Sequence, residues 1–192
     1  MSAQGREVYP VEVAGLKRDL PLFEVAPGVR IAILNILGDV EFVQAVAAAL
    51  ASKITTSKPD VLVTAEAKSI PLVYALAVET GLPYVVLRKN YKPYMGEALE
   101  AHTVSITTGT RQTLYLDEKD HVLLRGKRAA LIDDVISTGS TLQGMHLLMD
   151  KVGAAVVVQA AVFTEGDRAK WTDIVALGHL PVFIDESAGM PD

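Results

Sequence analysis

The chain has 192 residues, of which half are apolar and 21% are charged, and it contains no cysteine. Such a composition can bury a sizeable core, and it excludes a disordered chain, a disulfide scaffold and a cysteine nucleophile. Asp and Glu outnumber Lys and Arg by 23 to 18, which argues against a general nucleic-acid binder. Since no apolar run approaches the roughly 20 residues of a membrane span and no secretory signal is present, we expect a single cytoplasmic domain that binds neither membrane nor nucleic acid.

The first 38 residues carry three prolines and short extended runs, of which 11–13 is one. They predict a small hood, or flap, that packs on the core rather than a separate domain. The core is then expected over 39–192, and the whole chain over 1–192 is expected to form one domain.

From residue 39 onward, short apolar runs alternate with patterns typical of helices. Strands buried on both faces of a parallel sheet are predicted at 61–64, 84–87, 129–132 and 155–158. Helices are predicted over 40–52, capped by Asp39, over 70–80, capped by Ser69 and ended by Gly81, and around 142–152, ended by Gly153. With right-handed crossovers, this order predicts an α/β fold with a doubly wound, mostly parallel sheet.

One segment, 90–116, interrupts this alternation. Residues 103–107 and 112–116 alternate and flank a Thr-Gly-Thr turn at 108–110, which predicts an inserted β-hairpin. Long insertions that follow a core strand are more often functional lids than idle loops. We therefore expect a β-hairpin lid over 90–116.

The segment 130–141 carries the clearest chemical signal. A strand is expected to end at Asp133 and Asp134, and a hydroxyl-rich loop around Gly139 and then a helix follow. Ligands of open α/β sheets bind beyond the carboxyl ends of the strands, where this loop would lie. Backbone N–H groups at the start of a helix suit a phosphate, whereas two acids suit ribose hydroxyls or hydrated Mg²⁺. Each half alone would be an ordinary turn or helix cap, but the ordered combination predicts a sugar-phosphate site.

This segment resembles the 5-phosphoribosyl 1-pyrophosphate (PRPP) binding motif of type I phosphoribosyltransferases, and the chain is similar to the adenine and xanthine enzymes of that family. The resemblance implies that Asp133 and Asp134 are catalytic, hold the ribose hydroxyls and bind Mg²⁺, directly or through water. It implies that the 5-phosphate is bound by the loop residues Ser137, Thr138, Gly139, Ser140 and Thr141. No Gly-Lys-Ser or Gly-Lys-Thr is present, so a P-loop is excluded.

A strand, a short turn and a capped helix are predicted over 63–69, which would place backbone N–H groups and one cation at a sheet edge. The segment resembles the family's pyrophosphate loop, with Lys68-Ser69 in place of the common Arg-Gly or Ser-Gly. This likeness implies that Ala67, Lys68 and Ser69 bind pyrophosphate. The alternative from the residues alone is a capping serine beside a solvated lysine.

The main cationic cluster, Arg88, Lys89 and Lys92, follows a predicted core strand and is interleaved with Tyr91 and Tyr94. Such a pattern is typical of a site for single-stranded nucleic acid or of a solvated surface. Its position beyond a sheet edge favours a pyrophosphate-binding site instead. Purine phosphoribosyltransferases carry Arg-Lys here, and in that family these cations often serve a neighbouring subunit. The resemblance therefore implies a homodimer.

Base-recognition residues are indicated less directly. Resemblance to the hood of xanthine-type enzymes makes Asn35 a candidate, although a loop asparagine also bonds its own backbone. Phe163 is expected after the last central strand, where the family often closes the base site, or in the core. The glutamate that assists the base in the lid of adenine-type enzymes has no counterpart at 104–108, which leaves Glu97 or Glu100 as guesses.

Together these segments predict a Mg²⁺-dependent purine phosphoribosyltransferase. From PRPP and a purine base it would form the nucleoside 5-monophosphate and pyrophosphate, in purine salvage. Adenine is the favoured base, and xanthine or another 6-oxopurine is the alternative. A non-catalytic PRPP-binding regulator and a generic nucleotide-binding α/β domain remain open as other readings of the same residues.

Overall fold

The computed structural model describes residues 7–104 and 111–185. Its helices in chain order are α1 (Val40–Ile54), α2 (Ile70–Thr80), α3 (His121–Leu124) and α4 (Ser140–Val152). Its strands are β1 (Val8–Val13), β2 (Leu16–Ala26), β3 (Val29–Ala32), β4 (Val61–Ala65), β5 (Tyr84–Leu87), β6 (Leu99–Val104), β7 (Arg111–Leu116), β8 (Arg128–Ile136), β9 (Ala155–Glu165), β10 (Val175–Leu180) and β11 (Val182–Ile184). Among the described residues, no helix combines the length and the apolar composition needed to cross a bilayer.

Five strands form a central sheet in the order β10-β9-β8-β4-β5, and every neighbouring pair in it is parallel. All five residues of β4 are buried, because helices cover both faces of the sheet. Apolar residues of α1 and α2 pack on one face. Those of α4 and of the β6–β7 pair pack on the other. The predicted α/β fold with a parallel sheet is therefore confirmed.

The predicted helix ends are reproduced to within two residues. Asp39 caps α1, because its Oδ1 accepts a hydrogen bond from the amide of Phe42 at 3.1 Å. α2 begins at Ile70 and ends before Gly81, whose φ of +72° favours glycine. Ser69 precedes α2 as predicted, but its side chain makes no capping bond. Its hydroxyl is used in the candidate site instead.

Two central strands run beyond the apolar runs that predicted them. β8 continues through the acid pair to Ile136, and β9 continues to Glu165. The reason is the parallel ladder between these strands, which extends past Asp133. The expectations that a strand ends at the acids and that Phe163 follows the last of these strands are therefore wrong. Both features lie inside hydrogen-bonded strands.

A second, antiparallel sheet has the strand order β1-β2-β3-β11. Its first three strands lie within the predicted hood, but β11 comes from Val182–Ile184 and pairs with β3. No local signal in the sequence links these two distant segments, so this pairing was not predicted. Arg18 on β2 anchors the sheet to α1, since its Nε lies 2.7 Å from Asp39 Oδ2. The hood boundary at residue 38 stays a prediction.

Within the segment 90–116, β6 and β7 pair antiparallel along their whole length. The first strand begins at Leu99 rather than at 103, and the turn predicted at 108–110 lies outside the described residues. Ala101 and Leu114 on this pair are buried in the same apolar cluster as Met145 of α4. The β6–β7 pair therefore packs on the core.

Gly144 sets how closely the β6–β7 pair approaches α4. An ideal Cβ at this position would lie 3.0 Å from Leu114 Cδ1 and 3.5 Å from Thr103 Cγ2. A larger side chain would have to push the two strands away from the helix, because cores packed at crystal density have no room to absorb it.

We predict that Gly144→Val lowers the free energy of unfolding by about 1–3 kcal/mol, because two branched carbons would be forced against Leu114. Urea unfolding measures this change. Gln143→Val is the matched control, since residue 143 is exposed on the same helix and the substitution introduces the same side chain. Equal stability changes in the two variants would show that the close contact at Gly144 does not matter.

Candidate active site

The carboxyl ends of β4 and β8 lie side by side, because these two strands are parallel neighbours. Two adjoining cavities open at this edge. The first is lined by Asp133, Val135, Ile136, Ser137, Thr138, Gly139, Ser140, Thr141 and Leu142. The second is lined by Ala65, Glu66, Ala67, Lys68, Ser69, Lys89, Asp133, Asp134, Val135 and Thr141. Asp133, Val135 and Thr141 line both, so the two cavities are adjacent.

The first cavity, called here the phosphate cavity, is formed by the loop 137–141 and the start of α4. Gly139 has a φ of +77°, and an ideal Cβ there would lie 3.0 Å from the ring of Trp171. Both observations favour glycine, as predicted. The hydroxyls of Thr138 and Ser140 lie 3.1 Å apart at the N-terminal end of α4, a 13-residue helix. Hydroxyls and amides at a helix N-terminus suit a phosphate.

Trp171 is a site neighbour that was not predicted. It ends a 3-10 turn over Arg168–Trp171, and its Nε1 donates a hydrogen bond to the carbonyl of Glu165 at 2.9 Å. This bond fixes the ring beside Gly139. The available signal was that the only tryptophan of the chain follows a long central strand.

The acid pair lies at the junction of the two cavities. Asp134 is buried and Asp133 is half-buried. Burial, followed by the negative charge of Asp134, raises the pKa of Asp133 to about 7. Two carboxylates kept this close to each other favour a bound cation or hydroxyl donors, because either would relieve their repulsion.

Ser69 connects the second cavity to the acid pair. Its buried hydroxyl lies 2.7 Å from Asp133 Oδ1 and 3.1 Å from Asp134 Oδ1. It also accepts a hydrogen bond from the amide of Asp134 at 3.0 Å. The sequence predicted a cap or a pyrophosphate ligand here, whereas the side chain faces the acids.

The second cavity, called here the pyrophosphate cavity, is bounded by the turn 66–69, in which the Glu66–Ala67 peptide is cis. Ala67 and Lys68 are exposed at its edge, as a ligand-binding turn requires. The ammonium group of Lys68 donates a hydrogen bond to the carbonyl of Leu34 at 3.2 Å. The turn is thus tied to the segment that precedes α1.

Glu66 organises the segment that follows β5, a role that was not predicted. One carboxylate oxygen accepts a hydrogen bond from Arg88 Nε at 2.5 Å, and the other accepts one from the amide of Lys89 at 2.6 Å. This contact raises the pKa of Arg88 above its ordinary value. Lys89 lines the pyrophosphate cavity, whereas Arg88 lines a different cavity together with Tyr94.

Four of the predicted ligand residues do not line either cavity: Arg88, Lys92, Phe163 and Asn35. Arg88 is held by Glu66, and Lys92 is exposed outside both cavities. Phe163 is 2% exposed, and its ring packs over Gly178, where an ideal Cβ would lie 2.6 Å from the ring. Phe163 lies within β9, and its side chain is part of the core.

Asn35 lies in the irregular segment between β3 and α1. Its Oδ1 accepts a hydrogen bond from the amide of Leu37 at 3.4 Å, which is the local backbone bond expected of a loop asparagine. Its neighbour Leu34 is contacted by Lys68. Asn35 thus lies near the pyrophosphate cavity without lining it.

The β6–β7 pair reaches the site through Gln112. Its side-chain amide lies 3.4 Å from the hydroxyl of Thr141, which lines both cavities. This contact was not predicted, because no local pattern relates residues 112 and 141. It places Gln112 of β7 directly beside the phosphate cavity.

The acid pair fits Mg²⁺ only as a partial ligand set. Across residues 7–104 and 111–185, no group of three or more His, Cys, Asp or Glu side chains is placed to hold a metal ion. Mg²⁺ usually keeps several waters and binds through one or two carboxylates and the phosphates of a substrate. Asp133 and Asp134 can supply those carboxylates, so they fit an ion that arrives with a phosphorylated ligand.

A parallel sheet with an acid pair and a hydroxyl-rich loop at its carboxyl edge has the arrangement in which open α/β proteins bind their ligands. A family model described as phosphoribosyl transferase domain matches residues 34–177, which is more than half of the chain. The chain therefore belongs to the phosphoribosyltransferase family.

Two curated proteins illustrate its relatives. The chain is 36% identical over 108 residues to the hypoxanthine/guanine phosphoribosyltransferase of Methanococcus voltae, over 56% of this chain and 54% of that protein. It is 31% identical over 150 residues to the purine biosynthesis transcriptional repressor PurR of Bacillus subtilis, over 78% of this chain and 52% of that protein. The chain thus spans about half the length of these relatives.

Solved structures share the fold at lower identity. An adenine phosphoribosyltransferase from Thermoanaerobacter pseudethanolicus matches with a TM-score of 0.65 and 21% identity, over 90% of this chain and 95% of that one. The adenine phosphoribosyl transferase from Trypanosoma brucei, solved with AMP, pyrophosphate and ribose-5-phosphate, matches with a TM-score of 0.64 and 19% identity, over 96% and 81%. These likenesses establish the fold of the chain.

We predict that Asp133→Asn stabilises the protein at high pH. Because the native pKa of Asp133 is raised above the unfolded value near 4, the wild type loses stability as the pH rises through about 7. The variant has no such ionisation, and Asn can still accept a hydrogen bond through Oδ1. Its Tm should exceed that of the wild type by about 5 °C at pH 8, and the gap should narrow towards pH 4.5.

Thermal unfolding between pH 4.5 and 8 measures this difference. Asp173→Asn serves as the control, since that carboxylate is exposed. A Tm gap for Asp133→Asn that stays constant with pH, or a lower Tm at pH 8, would contradict the raised pKa of Asp133.

Proposed function

We propose that the chain is a Mg²⁺-dependent purine phosphoribosyltransferase that converts PRPP and a purine base into a nucleoside 5-monophosphate and pyrophosphate. The observation that carries this proposal is that Asp133 lines both cavities. A ribose held at Asp133 can place its 5-phosphate in one cavity and its pyrophosphate in the other. The 5-phosphate would bind to Ser137, Thr138, Gly139, Ser140 and Thr141.

In this reaction a nitrogen of the base forms a bond to the anomeric carbon of ribose, and pyrophosphate leaves with the electrons of the broken C–O bond. The proton of that nitrogen passes to the departing pyrophosphate or to water. The sugar carries positive charge in the transition state. Asp133 and Asp134 would hold the ribose hydroxyls and stabilise that charge. Ala67, Lys68 and Lys89 would bind the leaving pyrophosphate. Mg²⁺, when bound, would add positive charge at the pyrophosphate oxygens.

The segment 90–116 is proposed to act as the lid. Closure would exclude water, which would otherwise hydrolyse the reactive sugar. The contact between Gln112 and Thr141 supports this role, because it already links the segment to the phosphate cavity. No residue of the lid is assigned as an acid or base.

For the base, a 6-oxopurine is favoured over adenine. Adenine was expected from the resemblance, but the adenine enzymes among the solved structures are 17–21% identical and support the fold alone. The relatives at 36–37% identity are named hypoxanthine/guanine phosphoribosyltransferases. The proposal is therefore hypoxanthine, guanine or xanthine, with adenine as the weaker substrate.

A PRPP-binding regulator is the second candidate. The observation in its favour is that the match to the repressor PurR covers 78% of this chain, whereas the match to the Methanococcus voltae enzyme covers 56%. Such a protein would need the same PRPP site, since the acid pair and both cavities serve binding as well as turnover. It would release no pyrophosphate with any base.

We predict that pyrophosphate is released when PRPP, Mg²⁺ and hypoxanthine, guanine or xanthine are supplied, and more slowly with adenine. The double variant Asp133→Asn/Asp134→Asn should lose turnover by on the order of 100-fold, because the ribose contacts and the charge stabilisation are removed. A panel of six bases, including uracil and orotate, measured by pyrophosphate release, tests both statements.

Three outcomes of this panel would change the conclusion. Near-normal turnover in the folded double variant would contradict the roles of the acids. PRPP binding without turnover of any base would favour the regulator. Absence of PRPP binding would leave only a generic nucleotide-binding α/β domain. Circular dichroism on the double variant separates loss of activity from loss of the fold.

The proposal includes a homodimer. Its support is the resemblance, together with exposed apolar side chains near the start of α1 and along α2: Val40 is 66% exposed, Tyr74 58% and Val78 66%. We predict that the protein sediments at twice its 20.6 kDa chain mass, and that Val78→Asp weakens the dimer. Val122→Asp is the control, because Val122, on α3, is a valine that is 78% exposed. A monomeric wild type would contradict the dimer.

A further inference from the structure

Ser69 is buried, 2% exposed, at the point where the pyrophosphate turn meets the acid pair. We propose that Ser69 is a positioning residue, whose hydroxyl fixes the orientation of the Asp133 carboxylate for the ribose of PRPP. The inference rests on the proposed function, and it differs from the expectation that Ser69 binds pyrophosphate. It assigns the hydroxyl to the acids and not to the ligand.

The hydrogen bonds around Ser69 Oγ determine how it acts. A hydroxyl has one proton to donate, and the shorter of its two carboxylate contacts is the one to Asp133 Oδ1, at 2.7 Å against 3.1 Å to Asp134 Oδ1. The hydroxyl also accepts the amide proton of Asp134 at 3.0 Å. Ser69 thus bridges the side chain of one acid and the backbone of the next.

These bonds fix which oxygen of Asp133 faces the ligand. Asp133 Oδ1 also accepts a hydrogen bond from the Asp134 amide at 2.9 Å, an N–H that it shares with Ser69 Oγ, so the Ser69 hydroxyl and this amide both hold that oxygen. Oδ2 is then the oxygen that can accept a hydrogen bond from a ribose hydroxyl. A carboxylate held in this way does not have to be ordered when the sugar binds.

The position of Ser69 in the chain also connects the pyrophosphate turn to the acid pair. It stands directly before α2, where a serine ordinarily caps the helix, yet it makes no capping bond. It also directly follows Lys68 of the pyrophosphate turn. Ser69 therefore connects the pyrophosphate cavity to Asp133, which lines both cavities. A glycine here could make none of these side-chain bonds.

Removal of the hydroxyl tests this role. Ser69→Ala and Ser69→Gly should raise the KM and the Kd for PRPP about tenfold, which is the usual effect of one lost hydrogen bond to a charged group. The KM for the base should stay unchanged. Ser69→Thr keeps a hydroxyl and should restore PRPP affinity at least in part. Equal KM and Kd values in Ser69→Ala and the wild type would overturn the proposal.

A matched control separates positioning from loosening of the strands. The hydroxyl of Thr64 is also buried and donates a hydrogen bond to the carbonyl of Ile132 at 2.8 Å, one residue before Asp133. Thr64→Val removes that bond, which joins β4 to β8 beside the acid pair, without touching a carboxylate. It should lower the Tm and leave PRPP affinity unchanged. A rise in Kd equal to that of Ser69→Ala would contradict a specific role for Ser69.

A double-mutant cycle shows whether Ser69 acts through Asp133. In an Asp133→Ala background, Ser69→Ala should change the Kd for PRPP by less than twofold, because the carboxylate it positions is gone. A full tenfold effect in that background would refute the mechanism. Calorimetry gives these Kd values even if the protein does not turn PRPP over. A wild type that binds no PRPP would overturn the proposed function and this inference together, whereas a PRPP-binding wild type with an unaffected Ser69→Ala variant would overturn the inference alone.

Discussion

Two carboxylates on adjacent residues of a buried strand form the centre of this structure. Asp133 and Asp134 lie in β8 at the edge where the parallel strands end, and their proximity and burial raise the pKa of Asp133. Such a pair opposes folding whenever both groups are charged. Its presence at the junction of two cavities is explained if a bound ligand supplies the missing positive charge or hydroxyl donors.

The surrounding elements are arranged around this pair. The glycine at 139 lets the phosphate loop turn beneath Trp171 before α4 begins. On the other side, Glu66 accepts hydrogen bonds from the segment that follows β5, and the Ser69 hydroxyl holds the carboxylate of Asp133. Each of these contacts joins residues that lie in, or follow, different strands of the central sheet. The site is therefore a property of the parallel sheet edge rather than of one loop.

Much of this could be predicted from local patterns. Continuous apolar runs indicated the central strands, and glycines marked the ends of α2 and α4. The loop 137–141 combines residue types that a phosphate site needs, so its position was predictable from twelve residues of sequence. The ends of β8 and β9 were not predicted, because hydrogen bonding between these two strands extends them through polar residues such as Asp133.

What sequence patterns missed depends on long-range contacts. The pairing of β11 with β3, the bond from Ser69 to Asp133 and the capture of Arg88 by Glu66 join residues that are 22 to about 150 positions apart. A cationic cluster alone cannot reveal that one member is already paired. Likewise, Phe163 was a candidate for the base site only until its place inside β9 was known.

The central claim is that the two cavities form one site for a ribose that carries phosphate at one end and pyrophosphate at the other. A competition titration by calorimetry tests it most directly, with PRPP and Mg²⁺ added to protein that already holds ribose 5-phosphate or pyrophosphate. One PRPP should bind per chain, and either fragment alone should weaken its binding. PRPP binding that is unaffected by saturating ribose 5-phosphate or pyrophosphate would contradict a shared site.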